Sequence, residues 1–348
     1  MVRSRLTLQA IDLHCGGEPL RLITAGYPPV PQLPILERRR WLLDHADEIR
    51  RVAMYEPRGH RDMYGALLLP PSREDADLAV LFMHNAGYST MCGHGTIAIA
   101  TALVEEGLFP ASEPETVIRF EAPAGLVVAR AATRRSERGA AEVTGVRFTN
   151  VPSYLAARDL EVAADGLPRL RVDLAFGGAY YGVVDAAELG LRVVPEQVEA
   201  LTRAGSLITD ELRRQHTPQH PTEPDLGFVY GTIIVDGDPA TAPDGRATDA
   251  DIRNVTIFAE AEVDRSPCGS GTSALLARLA ARGELSIGDE IANASITGAV
   301  FRGRLEGTAR LGSEDAYETS VAGTAYVTGF QTLVVDERDP LGGGFLLR

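Results

Sequence analysis

Apolar and polar positions alternate in short runs through the N-terminal part of the chain. "LTLQAIDLH" (6–14), "LRLITAG" (20–26), "YGALLLP" (64–70) and "LAVLFMH" (78–84) are rich in branched apolar residues and bounded by Gly or Pro, which predicts strands. Between them, "ILERRRWLLDHADEIRR" (35–51) places Leu36, Leu42, Leu43 and Ile49 near helical spacing, as an amphipathic surface helix would. The same order returns further on. "PEQVEALTRAGSLITDELRRQH" (195–216) carries Val198, Leu201, Ile208 and Leu212 on one helical face, and "LGFVYGTIIVDG" and "IRNVTIFAEA" follow as strands. The second half is longer by about the length of "GDPATAPDGRATDAD" (237–251), whose Pro, Gly and Asp content predicts an inserted loop.

A shared motif closes each half. "DRSPCGSGTSA" (264–274) has the core C-G-x-G-T-x-A, and "MCGHGTIA" has it 176 residues earlier, with Cys92 in the place of Cys268. Fifteen residues after each cysteine stands a glycine, Gly107 and Gly283, where a C′ glycine would stop a helix of about fourteen residues. Leu103 and Leu279 share an offset of eleven. These helices carry little charge, Glu105 and Glu106 in one and Arg278 and Arg282 in the other, so they are expected to be buried with sheet wrapped around them. The pattern is that of an internal duplication in an α/β (α+β) chain: two pseudo-symmetric domains, each a curved sheet around a central helix. The expected division is 1–150 with Cys92 and 151–324 with Cys268, the strand region about 325–348 returning to the first half.

A buried cysteine usually behaves as a small hydrophobe, and Cys15 in "LHCGGEP", which has no twin, keeps that reading. Cys92 and Cys268 differ because Gly93 and Gly269 follow directly, with Gly95 and Gly271 two residues on, so the backbone can approach a ligand closely. A helix start lowers a thiol's pKa and leaves backbone N–H groups ready for an anion. If the halves face each other about a pseudo-two-fold axis, a carboxylate would be held at Gly93–His94 and Gly269–Ser270. Its α-carbon would then lie between two sulfurs. One thiolate removes the α-proton, the other thiol returns one from the far side, and the helix starts stabilise the enolate-like charge.

Composition narrows the alternatives. A formal net charge of −14 argues against a nucleic-acid or anionic-membrane surface. All 34 basic residues are arginine. Without lysine, a pyridoxal phosphate Schiff base, a Walker-type loop and a kinase site are excluded in their usual forms, and no cofactor is expected. No apolar run suggests a signal peptide or membrane span, and three cysteines make no disulfide framework, so a cytoplasmic protein with thiols is expected. His14, Cys15, Cys92 and His94 lack the spacing of a metal site, and no metal is expected.

At these residues the chain resembles the proline racemase family: proline racemases, hydroxyproline 2-epimerases and trans-3-hydroxy-L-proline dehydratases. The resemblance runs from "DLHCGGEPLRLITAGYP" through "EPRGHRDMYGA", "GYSTMCGHGTIA", "VDLAFGGAYY" and "NVTIFAEAEVDRSPCGSGTSA" to "DPLGGGFLL". It implies the two-domain fold of diaminopimelate epimerase, a homodimer, and a proline or hydroxyproline substrate. It makes Cys92 and Cys268 the acid/base pair, and Gly93, His94, Gly269 and Ser270 the carboxylate-contacting turns. Asp264 would meet the ring nitrogen, and Tyr64 and Phe258 would flank the pyrrolidine. His94 has a helix-start role as its competing explanation, and His60 and Asp62 are either a supporting pair or a solvated turn. Dehydratases usually have threonine at the second acid/base position, so Cys268 favours an epimerase. "EPRGHRDMYGA" and "HNAGYSTMCGHG" look more like the dehydratase branch, which keeps β-elimination as the alternative. A non-catalytic module binding a small carboxylate is the reading from a different class.

Overall fold

A computed structural model describes residues 4–237 and 250–347. The inserted loop expected over 237–251 therefore falls almost wholly outside the described residues. The chain divides into two compact units, one of residues 1–91, 95–146 and 324–348, the other of residues 92–94 and 147–323.

In the first unit, β1 (Ser4–Cys15) runs antiparallel to both β2 (Glu18–Ala25) and a strand from the far end of the sequence, Ala325–Asp336. Two helices, α1 (Ile35–His45) and α2 (Asp47–Met54), lead to β3 (Tyr64–Leu69), which lies parallel to β2 and antiparallel to β4 (Leu78–His84). Helix α3 (Gly93–Glu105) then leads to β5 (Glu115–Ala122), parallel to β4 and antiparallel to β6 (Gly125–Arg135). The apolar face that predicted one helix over 35–51 belongs to two. Ala46 leaves helical backbone at φ −145°, and Asp47 opens α2 by pairing with Arg50 at 2.6 Å. Arg50 in turn donates to the carbonyl of His84 at 3.0 Å, so the break aims α2 at the end of β4. Leu42, Ile49, Val52 and Met54 from these helices pack with Leu8, Ile23, Leu67 and Leu81 of the sheet in one core. Fully burying each such side chain contributes about 1.5–3 kcal/mol.

The second unit opens with β7 (Ala141–Thr149), which enters it from the first, and β8 (Tyr154–Val162). From there it repeats the same order of pairings. β9 (Leu170–Phe176) runs antiparallel to β8 and β10 (Tyr180–Asp185). Helix α4 (Val198–Gln215) leads to β11 (Val229–Asp236), parallel to β10 and antiparallel to β12 (Ile252–Phe258). A three-residue strand, β13 (Glu262–Asp264), folds back on β12 before α5 (Gly269–Ala281). That helix leads to β14 (Glu290–Ser295), parallel to β12, then β15 (Val300–Leu311) and β16 (Glu314–Gly323) in antiparallel order. The Ala325–Asp336 strand that pairs with β1 is β17. In both units, hairpin, helix, parallel strand, hairpin, helix and parallel strand follow in the same sequence.

Helices α3 and α5 are each 13 residues long. Gly107 (φ +67°) and Gly283 (φ +76°) stand past their ends in a left-handed conformation that costs glycine little. Strands β8, β9, β10, β15 and β16 surround α5, which is why its residues from Gly269 to Ala277 are all buried. At its far end, Arg278 and Arg282 both reach Asp173 of β9, at 2.7 and 2.6 Å. Burial would raise the Asp173 carboxyl, but hydrogen bonds from Arg282, the Asp159 amide and Arg278 hold it below its usual range. This anchor fixes the axial position of the helix whose other end carries Cys268. Asp173→Ala should therefore cost about 2–3 kcal/mol in denaturant unfolding near neutral pH, because it leaves Arg278 without its carboxylate and Arg282 with Asp159 alone. A loss below about 1 kcal/mol would show the anchor to be dispensable.

Candidate active site

The compact unit built from residues 147–323 also takes in Cys92–His94, so the start of α3 is gathered with the start of α5. The two meet at their glycines. A Cβ placed on Gly93 would lie 2.5 Å from the Cα of Gly269, and one on Gly269 would lie 2.6 Å from the Cα of Gly93. The ring end of Phe148 crowds the same point, 2.7 Å from a Cβ on Gly93. No residue with a side chain fits at either position without pushing backbone apart.

Cys268 is the N-cap of α5. Its Sγ accepts from the Gly271 amide at 3.3 Å, as a capping oxygen would. Its backbone sits at φ +60° and ψ 101°, a region a non-glycine residue enters only when its surroundings force it. The forcing network is polar. The Cys268 amide donates to Ser266 Oγ at 3.1 Å, and the Ser266 amide donates to Asp264 Oδ1 at 2.8 Å. The carbonyl of Pro267 accepts from Asn254 Nδ2 at 3.0 Å and from Asn293 Nδ2 at 3.3 Å. Asn293 also donates to Thr272 Oγ1 at 2.9 Å, and Asn254 donates to Asn293 Oδ1 at 2.7 Å. Two asparagines inside strands therefore hold the turn before the helix. The sequence reading missed both, although asparagine is depleted from strand interiors and that alone marked Asn254 and Asn293.

Cys92 and Cys268 are 5% and 6% exposed. Beside Cys92 stands His94, with Nδ1 3.2 Å from the sulfur. Around Cys268 are the Ser270 hydroxyl at 3.8 Å, the Tyr181 hydroxyl at 4.0 Å, and Thr256. Burial, and then the nearby Asp264 carboxylate, push the Cys268 thiol up to about 12. The lowering expected of a helix start is present as the Gly271 amide bond, and desolvation outweighs it. Asp264, itself buried, is pushed up to about 6, mainly by desolvation and against hydrogen bonds from Ser266.

An aromatic wall adjoins these groups. Phe258 stacks on Tyr230 with ring centres 5.5 Å apart, and Tyr230 meets the Tyr181 ring edge-on at 5.9 Å. In β12 and β13, Thr256 pairs with Asp264 and Phe258 with Glu262, which puts the carboxyl and the ring two positions apart along one ladder. The structure thus brings together Cys92, Gly93, His94, Phe258, Asp264, Cys268, Gly269 and Ser270 in one unit.

Tyr64 belongs to the other unit. It is buried, its hydroxyl lies 2.6 Å from Ser89 Oγ, and its ring stacks with His84 at 5.8 Å. His60 is exposed with Nδ1 against the Arg61 carbonyl at 2.7 Å, and the Asp62 amide donates to Asn85 Oδ1 at 2.6 Å. These contacts describe a turn, with Asp62 at φ +58°. Cys15 is fully buried at the end of β1. Among the described residues, no group of three or more His, Cys, Asp or Glu is placed to hold a metal ion, and no helix is long and apolar enough to cross a membrane.

A mixed α/β fold with paired cysteine-headed helices is the frame of a racemase-type enzyme. The family model described as proline racemase matches residues 10–346, and the chain belongs to the proline racemase family. It is 43% identical to a 3-hydroxyproline 2-epimerase of Burkholderia multivorans over 343 residues, covering 98% of each chain. It is 42% identical to a trans-3-hydroxy-L-proline dehydratase of Bacillus cereus over 337 residues, covering 97% of each. The crystal structure of a hydroxyproline epimerase from Agrobacterium vitis, with bound trans-4-hydroxy-L-proline, superposes with a TM-score of 0.89 at 34% identity, covering 99% of this chain and 97% of that one.

Two outcomes follow from this geometry. Gly93→Ala or Gly269→Ala should destabilise the protein by about 1–3 kcal/mol through overpacking, measured by chemical denaturation, and wild-type stability would contradict the close approach. Asp264 binds its proton more tightly folded than unfolded, so its contribution is favourable at low pH and is lost as pH rises through about 6. Asp264→Asn should therefore gain stability relative to wild type near pH 8, read as a higher melting temperature, and the gap should close toward about pH 4. Equal melting at both pH values would mean that the buried carboxylate carries no such cost.

Proposed function

We propose that this chain is a cofactor-independent epimerase or racemase acting on proline or hydroxyproline, with Cys92 and Cys268 as its two acid/base groups. The observation that carries the reading is the contact between Gly93 and Gly269, which sets two cysteine-headed helix starts against each other. The substrate carboxylate lies at the N–H groups of the two helix starts, where the dipoles favour an anion. Asp264 accepts from the protonated ring nitrogen, and Phe258 covers an apolar edge of the ring.

A thiolate on one face takes the α-proton, forming S–H as C–H breaks. The electron pair moves onto the carboxylate as an enolate-like anion, which the helix-start amides stabilise. The thiol on the other face then gives its proton to the α-carbon. One proton is removed and one returned, the configuration is inverted, and the sulfurs have exchanged roles. Cys268, held as a thiol by burial, serves as the acid while Cys92, with the His94 imidazole beside it, serves as the base, and the roles reverse for the other enantiomer.

The identity shared with a trans-3-hydroxy-L-proline dehydratase supports a second reading. There the same α-proton is removed, but the 3-hydroxyl departs with a proton as water and leaves pyrroline-2-carboxylate. A thiol at position 268, able to reprotonate the α-carbon, favours inversion over elimination. The family resemblance also carries the proposal of a homodimer.

Proton NMR in deuterated water separates the readings, with L-proline, trans-4-hydroxy-L-proline and trans-3-hydroxy-L-proline supplied in turn. Loss of the α-proton signal with growth of a second diastereomer, or for proline of the D-enantiomer on a chiral column, is the expected result. A pyrroline-2-carboxylate product would transfer the chain to the dehydratases. Cys92→Ser and Cys268→Ser should each reduce inversion by at least about a thousandfold, since a hydroxyl is a far poorer acid/base partner here. Inversion at the wild-type rate in either variant would remove the two-thiol mechanism.

A further inference from the structure

The two sulfurs have different company. Cys92 has an imidazole, whereas Cys268 has three hydroxyls, of Thr256, Ser270 and Tyr181, and two of these, Ser270 and Tyr181, are bonded to each other. Tyr181, on β10, is 1% exposed and points its hydroxyl at Ser270 Oγ, 2.8 Å away. Both oxygens lie near Cys268 Sγ, Ser270 at 3.8 Å and Tyr181 at 4.0 Å. Its ring is held edge-on by Tyr230, which is stacked in turn on Phe258. The Tyr181 phenol is therefore fixed by packing and by one short bond, close to a sulfur that must gain and lose a proton in each cycle.

Resting on the two-thiol reading above, we infer that Tyr181 is a positioning residue that acts through Ser270 to support Cys268 in both of its protonation states. Three groups share the available protons. When Cys268 is a thiol, its S–H points at the Tyr181 oxygen. When it is a thiolate, Tyr181 donates to Ser270 and the Ser270 O–H turns to the sulfur. Only hydroxyl rotation separates the two arrangements, so no heavy atom has to move between turnover directions. Burial keeps the Tyr181 phenol protonated, which suits a donor rather than a second base.

The remaining groups facing Cys268 do not replace this pair. Asp264 accepts a hydrogen bond from the Cys268 side chain and so shares the S–H with Tyr181, but its charge opposes the thiolate, which leaves the hydroxyls as the groups that serve that state; Arg265 acts on Asp264. Thr256 of β12 and the Gly271 amide each supply one further donor, and the Tyr230 phenol bears on Tyr181. Cys92 and His94 stand across the Gly93–Gly269 contact.

The test is alkylation of the full chain by iodoacetamide without substrate, across roughly pH 7–9, with Cys92 and Cys268 quantified separately by peptide mass spectrometry. Tyr181→Phe keeps the ring and removes the hydroxyl. Cys268 should then alkylate about tenfold more slowly at each pH, because its thiolate loses one end of the donor chain, while Cys92 changes by less than about twofold. Ser270→Ala breaks the same chain from the other side, should slow Cys268 likewise, and decides the matter if Tyr181→Phe does not fold. If the tyrosine merely fills space, its replacement leaves Cys268 unchanged or loosens the site and speeds alkylation; either result overturns the inference, as does equal slowing at both cysteines. The proposed reaction fails separately: wild-type protein that never exchanges an α-proton would sink it and leave the thiol chemistry of Tyr181 standing.

Discussion

The contact on which the site depends is an approach of two backbones with nothing between them. Gly93 and Gly269 lie so close that a single added carbon on either would strike the other's Cα. Each glycine is the residue directly after a cysteine and the first of its helix. The spacing of the helix starts therefore follows from the absence of two side chains. Phe148, packed beside both, would meet an added carbon on either as well. Close packing of this kind makes the relative placement of the two thiols a property of the whole core, because interiors deform little.

Around that contact the repeated plan has diverged. The two units share their order of strands and helices, and α3 and α5 agree in length and in their terminal glycines. Both hairpins carry a ring pair, one residue apart in register: Tyr64 of β3 stacks with His84 directly opposite it on β4, and Tyr230 of β11 stacks with Phe258, which lies opposite Gly231. The chemistry next to each sulfur is where the likeness ends. An imidazole stands beside one sulfur and hydroxyls beside the other, so a duplicated frame carries two different polar surroundings.

Much of this was legible in the residues because it is written locally. The strands at 64–69 and 78–84 begin and end where branched apolar runs meet glycine, proline or polar residues, and the cysteine-headed helices stop where glycine allows a left-handed turn. Features fixed by distant partners were not. The break at Ala46 depends on Arg50 finding carbonyls at the end of β4, which periodicity over 35–51 does not encode. Asn254 and Asn293 are far apart in sequence and gain meaning only when both meet the carbonyl of Pro267. Tyr181 sits in an ordinary β-run, and only the fold carries its hydroxyl to Ser270. The Cys268 thiol shows the same limit in energetic form. Its position at a helix start is local and pulls its pKa down, whereas the burial that overrides this pull is a product of tertiary structure.

The pairing of β1 with β17 has a consequence for how the chain is made. Ser4 lies opposite Asp336 and Cys15 opposite Ala325, so one flank of the first strand waits through more than three hundred residues of synthesis for its neighbour. The unit of residues 147–323 is fully translated before that neighbour exists. Until then, β1 presents an open row of amides and carbonyls to anything able to add a strand. The first unit is thus completed only after the second has been translated, and while β1 lacks β17 that edge is open to mispairing with another nascent copy.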